Sequence, residues 1–274
     1  MSKALVLGGG GIAGISWEVG MICGLLREGI DLTDADSVIG TSAGSVVGAL
    51  LTSGADLEEA IAHQAEAEIE LTTMPDLDEV LRAFGVLADP TLDPREARRR
   101  VGEMALNAAT VVDARIERIF DRLGITDWPG RPLKVTAVDA RTGEFVIWDN
   151  DSGVPMPIAV ASSCAVPCVF RPVAINDGHY IDGGIRSPTS ADLAAGAVAV
   201  AVLEPMANLT PRDGLRTEIA KLGDARVAAV GPDEASVTTF GANILDPALW
   251  GPAFKAGLAQ AASAAPALYE VWYG

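Results

Sequence analysis

The sequence is short of basic residues, cysteine, histidine and aromatics. Twenty lysines and arginines stand against 37 aspartates and glutamates, a formal net charge of −17. A chain this acidic lacks the basic face that nucleic-acid phosphates require. It also gains nothing from charge alone at an anionic lipid surface, which leaves only transient, apolar membrane contact. The acidity itself serves solubility. The cysteines, Cys23, Cys164 and Cys168, are few and odd in number, which fits a reducing, cytoplasmic location better than a disulfide framework. Cys164 and Cys168 form C-x-x-x-C with no second pair and no histidine nearby, so no metal site is expected. The N-terminus has one lysine and an apolar run broken at once by glycines, unlike a signal peptide. No apolar run reaches the roughly 18 residues of a membrane span. The longest, residues 193–203, reads as a helix end followed by a buried strand.

What is present is apolar bulk and glycine. Apolar residues make up 49% of the 274, enough for a sizeable core. Lys3–Leu7 reads as a buried strand, followed by the glycine loop GGGGIAG and by apolar residues at helical spacing over 15–29. A second short strand at 37–39 leads into a small-residue helix over 43–54. Strand, glycine turn and helix thus occur twice, the pattern of a parallel α/β sheet. Residues 55–130 read as a charged helical insertion, with Asp56 and Asp93 as helix caps and a third amphipathic helix over 113–124. The basic run 95–100 reads as a solvated face. Strands resume at 133–140 and, through a hairpin turn, at 144–149. Further strands follow at 172–175, 179–181, 197–203 and 226–230. A closing helix is expected over 246–262. The simplest organisation is one domain spanning 1–274, with no repeat or linker.

Two motifs carry chemistry. Gly9, Gly11 and Gly14 satisfy the dinucleotide pattern G-x-G-x-x-G, which seats a pyrophosphate on a helix N-terminus. That reading wants an acidic residue at the end of the second strand, and none stands there. Gly40-Thr41-Ser42-Ala43-Gly44 matches G-x-S-x-G between a strand and a helix, the setting of a nucleophile elbow. Gly40 and Gly44 flank the serine where bulkier residues would collide. The glycine loop can then serve a different anion, with Gly9, Gly10 and Gly11 directing N–H groups at an oxyanion. Ser42 needs a base. With only His63 and His179 available, neither placed for a Ser-Asp-His order, Asp182 in YIDGG is the better candidate. Gly183 and Gly184 allow close backbone approach beside it. His179 is placed to tune that carboxylate. Trp148, Val166, Val169, Phe170 and Trp250 are candidate acyl-channel residues.

GGGGIAG, GTSAG and ASSCAVPCVFRPV…DGHYIDGG, in that order, resemble the patatin-like phospholipases. The resemblance covers about residues 4–203, with a looser match over 55–130 and after 203. It implies a three-layer α/β/α sandwich around a mostly parallel sheet. It also implies a Ser-Asp dyad that hydrolyses fatty acyl esters of phospholipid or neutral lipid. Carried over, Ser42 is the nucleophile, Asp182 the base, and Gly9, Gly10 and Gly11 the oxyanion hole, with no cofactor. One departure is Ala13, where many members carry Arg or Lys. The alternatives from other classes are a non-catalytic lipid- or acyl-binding relative and a nucleotide-binding α/β protein. Acyl length, headgroup and oligomeric state are not encoded in any motif.

Overall fold

The computed structural model describes residues 2–66, 77–108, 120 and 124–274. Among these, the apolar strand runs join into one eight-stranded sheet. The strands are β1 (Lys3–Leu7), β2 (Ser37–Gly40), β3 (Leu133–Asp139), β4 (Phe145–Trp148), β5 (Val173–Ile175), β6 (Gly178–Asp182), β7 (Ala199–Leu203) and β8 (Arg226–Val230). Their order is β5-β6-β3-β2-β1-β7-β8, with β4 also paired to β3. The run from β3 to β8 is parallel, and β4, β5 and β6 pair antiparallel. β1 and β7 lie inside the sheet, which is why both read as continuous apolar runs rather than alternating ones.

The helices are α1 (Gly11–Arg27), α2 (Ala43–Thr52), α3 (Leu57–Glu66), α4 (Leu77–Leu87), α5 (Pro94–Asn107), α6 (Met156–Ser163), α7 (Arg212–Ala220), α8 (Glu234–Phe240) and α9 (Trp250–Tyr273). Successive strand side chains point to opposite faces. Leu5 and Leu7 of β1 accordingly join a core with Trp17, Val46, Val160 and Leu268 of α1, α2, α6 and α9. Ala4 and Val6 face the other way, onto Leu215 of α7. Beside that second core, Ala83 of α4 and Val101 of α5 pack with Val138 and Ile181. Helices therefore cover both faces, and the layers are α/β/α.

The insertion splits between the faces. Ala60 and Ile61 of α3 join the first core, while α4 and α5 lie on the opposite side. Both expected caps form: Asp56 Oδ1 accepts the Glu59 N–H at 3.0 Å, and Asp93 Oδ1 accepts those of Arg95 and Glu96. The helix expected over 113–124 lies outside the described residues, apart from Phe120 and Gly124. In the basic run, Arg99 and Arg100 pair with Glu96, and Arg95 with Glu144.

Three boundaries differ from expectation. α1 begins at Gly11, inside the glycine loop, rather than at residue 15. The closing helix starts at Trp250 after a 3-10 turn at Pro247–Leu249, and it runs to Tyr273 with Pro266 inside it. Tertiary ties hold that last stretch: Trp272 Nε1 donates to the Asp31 carbonyl and to Asp34 Oδ1, and the Tyr273 hydroxyl accepts the Asp31 N–H. α6, α7 and α8 were not expected from the sequence.

Candidate active site

Strand pairing alone brings the two candidate residues together. Val135 of β3 pairs with Gly40 and with Trp148, and Ala137 pairs with Val146 and with Asp182. A strand residue has only two sides, and β4 occupies one of them at both Val135 and Ala137. β2 and β6 must therefore share the other. β2 runs parallel to β3 and stops at Gly40; β6 runs antiparallel and stops at Asp182. Their carboxyl ends point at each other along β3, and Ser42 and Asp182 emerge in the gap.

Ser42 sits on the strand-to-helix turn with φ 52° and ψ −118°. That left-handed conformation costs a non-glycine residue about 1–3 kcal/mol and persists only where its surroundings enforce it. The flanking glycines are sterically required: a Cβ on Gly40 would lie 2.5 Å from Ser45 Cα, and one on Gly44 would strike the Leu7 carbonyl. The Gly44 N–H donates to the Gly8 carbonyl at 2.9 Å, joining the elbow to the glycine loop.

The end of α6 clamps this turn. Ser163 Oγ accepts the Ser42 N–H at 2.9 Å. Cys164 Sγ donates to the Ser42 carbonyl at 3.3 Å. The Ala165 carbonyl accepts the Asp182 N–H at 3.0 Å. Three consecutive residues thus hold both halves of the site, a function that nothing in their spacing signals. The adjacent Ser162 Oγ accepts from Trp148 Nε1 at 3.0 Å, which fixes the end of the helix.

Asp182 is 5% exposed and Ser42 8%. The Asp182 carboxyl accepts the Gly184 N–H at 2.7 Å, and the Ser42 side chain lies close enough to favour its charged form. Burial raises its pKa to about 6, outweighing the Ser42 side chain and the Gly184 N–H, which pull it down. Gly183 packs against β3, where a Cβ would lie 2.5 Å from the Thr136 carbonyl oxygen.

The glycine loop is not uniform. The Gly8 N–H donates to the Leu203 carbonyl at 2.9 Å, and the Gly9 N–H to the Pro188 carbonyl at 2.8 Å. The donor expected at Gly9 is therefore already engaged. Gly9 lines the site instead: a Cβ there would sit 3.5 Å from Ser42 Cβ. The N–H groups of Gly10, Gly11 and Ala43 have no acceptor among the described residues. Gly10 and Gly11 open α1, so the helix dipole reinforces those donors. Below them Glu18 of α1 is fully buried, with both carboxyl oxygens unpartnered among the described residues. Burial raises its pKa well above the ordinary value, and the nearby Gly8 N–H, itself bonded to Leu203, lowers it only in part.

Neither histidine adds to this centre. His179 precedes Asp182 by three strand positions, so its side chain faces the opposite side of β6 and does not contribute to the Asp182 shift. His63 lies on α3 beside Glu59. Trp148 stacks edge-on against Tyr180 and Trp250 is buried in the main core, so both are packing residues. Val166 and Phe170 belong to a turn beside Ala165, with the Phe170 N–H on the Val166 carbonyl. Among the described residues no three His, Cys, Asp or Glu side chains cluster as metal ligands, and no helix is long and apolar enough to cross a membrane.

A strained serine on a strand-to-helix turn, facing a buried carboxyl beside free backbone donors, defines an α/β protein of the nucleophile-elbow class. The chain belongs to the patatin-like phospholipase family, whose model matches residues 5–195. Among solved structures it is similar to VipD from Legionella pneumophila, at 16% identity and a TM-score of 0.49 over 97% of this chain and 67% of that one. It is also similar to the type III effector protein ExoU, at 15% identity and a TM-score of 0.41, and spans 54% of that chain. No curated protein matches. Membership in this family of lipid hydrolases supports lipid hydrolysis as its chemistry.

Proposed function

We propose that the chain is a serine-dependent lipid acyl hydrolase, acting as a single domain over 1–274 on fatty acyl esters of phospholipid or neutral lipid. Ser42 is the nucleophile and Asp182 the base. The Gly10 and Gly11 amides hold the oxyanion, joined by the Ala43 amide, while Gly9 shapes the cradle. Gly40 and Gly44 permit the elbow, and Gly183 and Gly184 the approach of Asp182. The observation that carries the reading is the strained Ser42 beside the buried Asp182 carboxyl, whose pKa near 6 suits a base at neutral pH.

In the first step Asp182 accepts the Ser42 proton as Oγ adds to the ester carbonyl. The tetrahedral oxyanion collapses, and the alcohol leaves with the proton returned from Asp182. Water, deprotonated by Asp182, then adds to the acyl-enzyme. Collapse releases the fatty acid and restores the Ser42 hydroxyl. Each well-placed oxyanion donor is worth about 100- to 1000-fold in rate. No cofactor takes part in either step. The few, odd-numbered cysteines fit a reducing cytoplasm as its location.

The test is hydrolysis of p-nitrophenyl esters from acetyl to palmitoyl, and of phosphatidylcholine, by the wild-type chain, Ser42→Ala and Asp182→Asn. Activity in the wild type alone, with all three folded, supports the dyad. Activity that survives Ser42→Ala overturns it.

A further inference from the structure

The segment joining α8 to α9, residues 241–249, lies outside the stretch matched to the family model. It crosses the amino end of α1. The Ile244 carbonyl accepts the Ala13 N–H at 3.0 Å. This explains Ala13 in physical terms: it is fully buried beneath the segment, with no room for a long basic side chain. A Cβ on Gly11, which sits at φ 60°, would lie 2.8 Å from the Ile244 oxygen and 2.8 Å from Leu245 Cδ2. Leu245 therefore rests directly on the residue that carries one of the free amide donors.

The segment is built to hold that place. Asn243 Oδ1 accepts the Leu245 N–H at 3.2 Å, the Asn243 carbonyl accepts the Asp246 N–H at 3.1 Å, and Asp246 Oδ1 caps the Ala248 N–H at 2.8 Å. Leu245 is only half-buried, so part of its side chain is left for a ligand. An apolar wall beside amide donors suits a carbonyl that continues into a methylene chain, not a charged headgroup.

Resting on the proposed hydrolase reading, we infer that Leu245 is a specificity-determining residue that contacts the acyl chain next to the ester carbonyl. Replacing it changes which chain lengths are accepted. One methylene in an apolar pocket discriminates by about 10- to 200-fold. The experiment measures kcat/KM on p-nitrophenyl esters from acetyl to palmitoyl for the wild type, Leu245→Ala, Leu245→Trp and Leu245→Met. The quantity read is the octanoyl-to-acetyl ratio within each enzyme, which a reduced folded fraction does not move.

Leu245→Ala and Leu245→Trp are expected to shift that ratio by about tenfold, in opposite directions, and Leu245→Met to keep it within about twofold. If Leu245→Ala fails to fold, Leu245→Val is read in its place. An unchanged ratio in the Ala and Trp variants, or an equal loss at every chain length, overturns the inference and leaves the hydrolase reading standing. A wild-type chain inert on the whole series overturns that reading, and this inference with it.

Discussion

Asp182 titrates where a free aspartate does not. Its folded-state pKa is about 6, against about 3.9 for an unperturbed carboxyl. As the base it must be ionised, so kcat/KM is expected to rise with pH through about 6 and level off above it, checked by a pH–rate profile on one ester. The effect on stability has the opposite sign. The folded state binds this proton more tightly than the unfolded chain, so the contribution is complete below about pH 4 and is lost as pH rises through about 6. Asp182→Asn is expected to be inactive, and more stable than the wild type at pH 7.5 by about 1–3 kcal/mol, a gain that shrinks toward pH 4, as urea denaturation at both pH values would show. Ser163 is the second residue to test. Ser163→Ala strands the buried Ser42 N–H, at a cost of about 1–3 kcal/mol. Misplacing the nucleophile is expected to lower kcat by about 10- to 100-fold with little change in KM, and Ser163→Thr to restore it.

At the scale of elements, the glycine loop depends on the helix behind it. α1 and α9 cross at backbone contact: a Cβ on Gly257 would strike the Trp17 carbonyl, and one on Gly20 the Phe254 carbonyl. Trp17 Nε1 donates to Gln260 Oε1 at 2.9 Å, and Gln260 Nε2 reaches the Gly231 carbonyl at 2.7 Å. α9 thereby fixes the helix whose first residues are Gly11 and Ile12. Gly257→Leu is expected to separate the pair, costing about 3 kcal/mol and lowering Tm, with activity falling although no site residue has changed; thermal melts and ester hydrolysis measured together check this.

For the whole molecule, the matched residues 5–195 contain Ser42 and Asp182, while the remainder supplies Leu203, Ile244 and Leu245 around the glycine loop. That division also describes what could be read in advance. The elbow and loop were legible because their glycines answer to local sterics, and β1 and β7 because buried strands are apolar runs. α6 was not legible: it is short, has Pro157 in its first turn and carries no amphipathic stripe. The clamp at Ser163, Cys164 and Ala165 was hidden because hydrogen bonds to Ser42 and Asp182 are tertiary. The Gly9 donor was misassigned for the same reason, since its acceptor, Pro188, lies far along the chain. The extension of α9 through Pro266 rests on contacts of Trp272 and Tyr273 with the Asp31–Asp34 turn. The nucleophile is tested most directly by mass spectrometry after exposure to a long-chain fluorophosphonate, which phosphonylates an activated serine with loss of fluoride. One adduct, mapped to Ser42, absent in Ser42→Ala and formed far more slowly in Asp182→Asn, is the expected result. An adduct on another residue, or none on folded wild-type protein, would contradict the assignment of Ser42 as an activated nucleophile.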